Sequence, residues 1–148
     1  QRAMQFYLKS GYSKNWINQR LKSIEIRKEL TDEWEARGVK QGGEFAILTD
    51  DITFAWAGIK TKQYKKYKRL KKENLRDNMT NLELVLNMLA EVSTTEISKK
   101  VEPKNFIQNR RVAREGGSIA GTARRKLEKK TGKKAITRLS AKGLKLIK

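Results

Sequence analysis

The sequence predicts a mainly α, compact domain of about five to seven helices with a loosely held basic tail at the C-terminal end. Three observations carry this. Apolar residues recur at helical spacing along most of the chain, capping signals precede several of those runs, and one proline is all that interrupts 148 residues. Hydrophobic residues make up 37% and charged residues 34%, a polar balance that still supplies enough Leu, Ile, Trp and Tyr for one thin core. A chain of this size supports one ordinary domain, expected over residues 1–130, with the basic tail at 131–148.

The first element is a helix from Gln1 to Lys9, with Met4, Tyr7 and Leu8 at helical spacing and Gly11 at its end. Ser13 suits an N-cap, so a second helix runs from there towards Arg37 and stops at Gly38. Its apolar residues do not form one stripe: Ile17, Leu21 and Ile24 share a face, while Trp16, Ile26, Leu30 and Trp34 point elsewhere. Such a helix is either sandwiched between two partners or broken near Ser23. After Gln41-Gly42-Gly43, the positions Phe45, Leu48, Ile52, Ala55 and Trp56 favour a helix up to Gly58, although the short run Phe45 to Leu48 could pass as a strand.

Thr61 is the expected cap of a short, very basic helix from Lys62 to Lys68, with a further turn around Lys72 to Asp77. Thr80-Asn81-Leu82-Glu83 is a capping box, in which hydroxyl and carboxylate each satisfy an orphan backbone group. It opens a helix from Asn81 to about Lys99, whose expected apolar side is Leu82, Val85, Leu86, Leu89 and Val92. Pro103 suits a first helical position, so the last helix is expected from there to about Lys130, ending at Gly132. Ala113, Gly117, Ala120 and Gly121 line one side of it with small residues, and the pair Gly116-Gly117 allows a break at that point. Beyond Thr131 only Ala135, Ile136 and Leu139 offer apolar anchors, which is the basis for the loose tail.

Charge points to a partner. The formal net charge is +19, well beyond what solubility requires, so a polyanion is the natural expectation. It is also uneven: residues 1–59 carry nine basic and eight acidic groups, residues 60–148 twenty-six and eight. The positive field therefore belongs to the second part. Cysteine and histidine are absent, which removes disulfides, thiolate and imidazole chemistry and the common zinc sites. No window approaches a membrane span, and the first residues lack the apolar core of a signal peptide, so a soluble cytoplasmic protein with no membrane partner is expected.

The densest constellation is Lys60, Lys62, Lys65, Lys66, Lys68, Arg69, Lys71, Lys72 and Arg76, where Glu73 is the one acid and Tyr64 and Tyr67 are interleaved. Cations so close together neutralise phosphates and release counterions, and the tyrosines can stack on unpaired bases. The bland alternative is a solvated helix face with both tyrosines turned into the core, which their spacing favours. A second cluster, Arg124, Arg125, Lys129, Lys130, Lys133 and Lys134, extends the basic surface. Arg110, Arg111 and Arg114 read as function or as a charged outer face alike, and Gly116-Gly117 reads as packing rather than as a phosphate nest. Carboxylates are the remaining route to catalysis. Asp50-Asp51, the group Asp32, Glu33 and Glu35, and Asp77 with Glu102 and Lys104 lack the strand context of a magnesium nuclease, so no enzyme, cofactor or metal is expected.

Several runs together carry a family resemblance: Glu44-Phe45-Ala46-Ile47-Leu48-Thr49, then Leu70-Lys71-Lys72-Glu73-Asn74-Leu75-Arg76-Asp77-Asn78-Met79-Thr80 and Leu82-Glu83-Leu84. They continue in Thr94-Thr95-Glu96-Ile97, Gly116-Gly117-Ser118-Ile119-Ala120-Gly121 and Thr131-Gly132-Lys133-Lys134. In this order they resemble the C-terminal region of prophage antirepressor proteins with a Bro-N domain, and the related DNA-damage-inducible protein D. The resemblance implies a prophage or SOS-type damage-response setting in a bacterial cytoplasm, DNA in preference to RNA, and no catalytic residues. It also places the family's recognised DNA-binding unit in an N-terminal Bro-N domain. Since this chain opens on Gln1 inside an amphipathic segment, it reads as a C-terminal piece without that domain.

Two functions follow as expectations. One is a nucleic-acid-binding module, largely electrostatic and weakly sequence-specific. The other is an interaction or oligomerisation module that binds a repressor or repair protein, or a second copy, motivated by the split apolar pattern of residues 13–37 and the small-residue side of the last helix. A dimer presenting a doubled basic surface combines the two.

Overall fold

Six α-helices and one 3-10 turn make up the described residues, 2–140, of the computed structural model. They are α1 (Arg2–Lys9), α2 (Lys14–Ala36), α3 (Gly43–Ala57), α4 (Thr61–Tyr67), the 3-10 turn Arg76–Asn78, α5 (Asn81–Val101) and α6 (Phe106–Thr131). α5 is central: α2 packs along one side of it and α6 along another, and α3 closes the layer by lying on α6. The core gathers Trp16, Ile17, Leu30, Trp34, Leu48, Ile52, Trp56, Tyr64 and Leu84.

The Ser13 hydroxyl accepts the backbone N–H of Trp16 at 3.2 Å, and α2 then runs unbroken through Ser23. Its split apolar pattern is explained by sandwiching, because α1 covers its start and α5 its length. Phe45 to Leu48 is helical, which resolves the strand alternative. The Thr80–Glu83 capping box forms as expected, with reciprocal bonds of 3.3 and 2.8 Å.

Four expectations need correction. The cap of α4 is Lys60, and Thr61 is already helical; there the Gln63 side chain accepts the Lys60 backbone N–H. Pro103 precedes α6 rather than starting it, because Asn105 caps that helix by accepting the N–H of Gln108. The expected apolar side of α5 is largely reversed: Leu86 is buried as expected, but Leu82, Val85, Leu89 and Val92 are 40%, 42%, 37% and 39% exposed, while Glu83, Asn87, Glu91, Thr94 and Ser98 are buried. Polar side chains win the interior there because each meets a fixed partner: Trp56 at Asn87, two arginines at Glu91, and Glu33 at Ser98.

The fourth correction concerns the tail. Residues 132–140 cross back over α4, with Ala135 and Ser140 buried and the Thr137 and Leu139 carbonyls bonded to Lys68. The expected loose segment therefore does not start at residue 131, and its remainder, 141–148, lies outside the described residues.

α6 is continuous through Gly116 and Gly117. Its small residues serve packing. A Cβ at Gly116 would lie 2.0 Å from the Thr94 hydroxyl, and one at Gly121 would lie 2.4 Å from the Ala55 carbonyl oxygen. The glycines let α6 approach α5 and α3 at a distance no side chain permits, which offsets the about 1 kcal/mol each costs in a helix interior.

Candidate nucleic-acid interface

α4 is a short helix of about two turns whose inner side is set by Tyr64 and by Lys68 at its C-cap, four residues apart. Both reach Glu83 at the start of α5. The Glu83 carboxylate accepts from the Thr80 N–H at 2.8 Å, from Lys68 Nζ at 2.8 Å and from the Tyr64 hydroxyl. Lys68 Nζ also donates to the Thr137 and Leu139 carbonyl oxygens, each at 2.7 Å. Burial pulls the Lys68 ammonium below its ordinary value against the opposing pull of Glu83, and burial together with Glu83 pushes the Tyr64 phenol well up. Lys68, fully buried, is thus an internal pin and leaves the set of phosphate-binding candidates. Tyr64 is core, as its spacing suggested, but Tyr67, expected there with it, is 39% exposed.

Arg76 is also drawn inward. Its Nη2 donates to Glu91 Oε2 at 2.6 Å, and Arg27 Nη1 donates to the same oxygen at 2.9 Å. One carboxylate therefore holds two guanidiniums, and Arg76 serves the body of the fold before any ligand. Beside this pair, Arg20 binds Asp77 at 2.8 Å, and the Tyr7 and Tyr12 hydroxyls donate to the Asp77 side chain and carbonyl.

Seven cations of the first cluster remain outward: Lys60, Lys62, Lys65, Lys66, Arg69, Lys71 and Lys72 make no ion pair among the described residues. Glu73 is occupied by its own turn. It accepts the Lys71 N–H at 2.8 Å, and backbone hydrogen bonds, with help from Lys65, hold its carboxyl below the ordinary range. Arg69 sits just past the end of α4 with φ of +58°, a left-handed position where glycine is the cheap residue. The chain keeps an exposed cation there instead.

The second cluster divides in the same manner. Arg124 is internal: its Nε donates to the Trp56 carbonyl at 2.6 Å and its Nη1 to Glu128 at 2.9 Å. Glu128 in turn accepts the Ala135 N–H at 2.9 Å, which ties the crossing segment to α6. Burial works against that carboxylate, yet the Ala135 bond and Arg124 bring it below the usual range. Arg125, Lys129, Lys130, Lys133 and Lys134 are exposed. The crossing segment also joins the two clusters: Tyr67, Arg124 and Lys134 line one 240 Å³ hollow, and the Arg138 guanidinium lies 5.2 Å over the Tyr67 ring.

Most of the remaining candidates are engaged within the fold, while Arg111 stays exposed. Arg110 makes two bonds to Asp51, at 2.8 and 3.1 Å, and Arg114 approaches the same carboxylate at 3.8 Å. Glu33 binds Arg37 and Ser98, and Glu102 pairs with Arg37. Among the described residues no group of three potential metal ligands comes together, and no helix is long and apolar enough to cross a membrane.

Sequence reasoning missed the cleft that the first cluster overhangs. It lies between α2, α3 and α4 and the turn from Lys71 to Arg76, as two lobes of 690 and 550 Å³ that share Arg27, Thr49, Thr61 and Lys65. Its floor includes Asn87 from α5. The available signal was the spacing of Glu83, Asn87 and Glu91, a polar stripe four residues apart on a helix that carries leucines on every other side. No protein-family model, curated protein or solved structure matches this chain.

Proposed function

We propose that this chain is a helical nucleic-acid-binding module of the prophage antirepressor or DNA-damage-response type, taking DNA in preference to RNA. It binds through the outward cations of residues 60–72, flanked by Arg125, Lys129, Lys130, Lys133 and Lys134. The observation that carries the reading is the sorting of charge. Cations needed by the fold are matched to Glu83, Glu91, Asp77, Asp51 and Glu128, whereas seven neighbours in residues 60–72 make no ion pair among the described residues. Unmatched cations so close together repel one another and gain most from a polyanion that replaces many small counterions. Arg69 supports this, since a strained backbone occupied by a charged residue points to use rather than stability.

Affinity is mostly electrostatic and weakly sequence-specific, because ten of the twelve outward groups are lysines on flexible stems. No catalytic step is assigned, and labelled DNA with magnesium should remain uncut. The test is titration of single- and double-stranded DNA at rising salt. Steep loss of affinity with salt is expected; a flat response, or no binding at low salt, overturns the reading.

A second reading rests on α5. Leu82, Val85, Leu89 and Val92 repeat at three- and four-residue steps on an exposed face, the spacing of a helix-pairing seam. It favours an oligomerisation or protein-interaction role, with a repressor or repair protein as the alternative partner. Concentration-independent monomers in light scattering would remove the oligomeric form of it.

A further inference from the structure

The outward lysines explain attraction to a polyanion but leave the cleft beneath them unused. Its floor holds a donor that nothing satisfies. Asn87 is 2% exposed; its Oδ1 accepts the Trp56 indole N–H at 3.1 Å. Because an indole nitrogen can only donate, the amide orientation is fixed and Nδ2 is the group turned away. Nδ2 has no hydrogen-bond partner among the described residues, and neither has the buried Thr61 hydroxyl, although both residues line the same lobe. Burying such groups unpaired is costly, and positions like these are filled by a ligand or by water.

The rest of the cleft states what ligand fits. Lys65 lines both lobes, with Lys62, Lys66 and Lys71 around one and Lys72 at the other, so an anionic group is held at the mouth. Ala46 and Leu70 give one lobe an apolar wall, and Asp50 adds a carboxylate acceptor. A bare phosphate would fill a small part of this space and reach neither Asn87 nor the apolar wall. The volumes lie in the range of small-molecule sites, about 300–1,000 Å³.

We propose that the cleft binds one phosphorylated nucleoside unit, its phosphate at Lys65 and Lys72 and its base edge at Asn87 Nδ2 and Thr61 Oγ1. The unit comes either from a free nucleotide or from an unpaired nucleotide of a strand. This inference deepens the nucleic-acid reading and rests on it for the strand source alone.

Trp56 supplies a local reporter, since its indole N–H is bonded to Asn87, whereas that of Trp16 donates to the Met79 carbonyl. In a nitrogen-15 NMR titration of the whole chain, thymidine and adenosine 5′-monophosphate should move the Trp56 indole resonance saturably. Inorganic phosphate and unphosphorylated adenosine should bind at least about tenfold more weakly, each lacking half of the recognised chemistry. Thr61→Val, which removes only an unpartnered oxygen, and Asn87→Asp, which keeps the Trp56 bond but loses the donor, should each weaken nucleotide binding about tenfold. A thymidylate hexamer that displaces the mononucleotide at lower concentration assigns the site to strands, and failure to displace assigns it to free nucleotides. The proposal is overturned if neither nucleotide moves the Trp56 resonance, or if Thr61→Val binds as the wild type does. Duplex DNA separates the two claims: duplex binding without a nucleotide response sinks the cleft alone, and absence of both sinks the electrostatic reading as well.

Discussion

The segments 60–76 and 124–134 carry the same kind of charge on different supports. The first is a short helix followed by an irregular turn, wrapped over a two-lobed cleft and ending against Glu91. The second is the end of a 26-residue helix with a left-handed glycine stop at Gly132, flanked by two smaller hollows of 240 and 290 Å³. Each spends part of its charge on the fold, Lys68 and Arg76 in one and Arg124 in the other. What differs is the remainder: outward cations around a large two-lobed cleft in one case, around smaller hollows at a helix end in the other. Charge density in a sequence therefore does not identify a site until the inward cations are subtracted and the shape beneath the others is known.

The sharpest way to break this comparison is to exchange an inward cation. Lys68→Met leaves the Glu83 carboxylate buried without its ion partner, and urea unfolding should show a loss of about 3–5 kcal/mol. Arg124→Met removes charge-assisted bonds to the Trp56 carbonyl and Glu128, with an expected loss of about 1.5–3 kcal/mol. Outward lysines such as Lys66 and Lys129, changed to Gln, should stay within about 0.5 kcal/mol of wild type. A large loss there would erase the distinction.

Arg69→Gly sharpens the comparison from the other side. Glycine relieves the left-handed backbone, so stability should rise by about 1 kcal/mol while DNA affinity falls. Gain in both would make Arg69 an accident of packing.

The anchor of the first segment titrates. Burial, then the charge of Asp77, raises the Tyr12 hydroxyl from 10.0 to about 12. A raised folded value means that its contribution is intact below pH 10 and is lost as pH climbs towards 12. Tyr12→Phe should be less stable than wild type at about pH 8 by roughly 0.5–1.5 kcal/mol, and that gap should narrow by about pH 11.5.

Most helices were legible because periodicity and caps agree locally, as at Ser13 and at Thr80 with Glu83. The misread side of α5 shows the limit. Leu82, Val85, Leu89 and Val92 form the better stripe, but Asn87, Glu91 and Ser98 are drawn inside by Trp56, Arg27, Arg76 and Glu33, partners far away in sequence. The same nonlocality hid the fate of the cations. Lys68 differs from Lys66 in sequence by nothing visible; only the fold brings Glu83 and the crossing carbonyls of Thr137 and Leu139 to it. The basic cluster was readable as composition, and the cleft below it was not, because its floor comes from a separate helix.

The central claim is that the outward cations of residues 60–72 make the main phosphate contacts. The salt dependence of duplex DNA binding tests it directly, measured on wild type and on two charge-matched variants. One replaces Lys62, Lys65, Lys66, Lys71 and Lys72 with Gln, the other Arg125, Lys129, Lys130, Lys133 and Lys134. At about 0.9 of log–log slope per neutralised phosphate, the first variant should lose about three to four of slope and the second about one to two. Equal losses, or the larger loss in the second variant, would contradict the account.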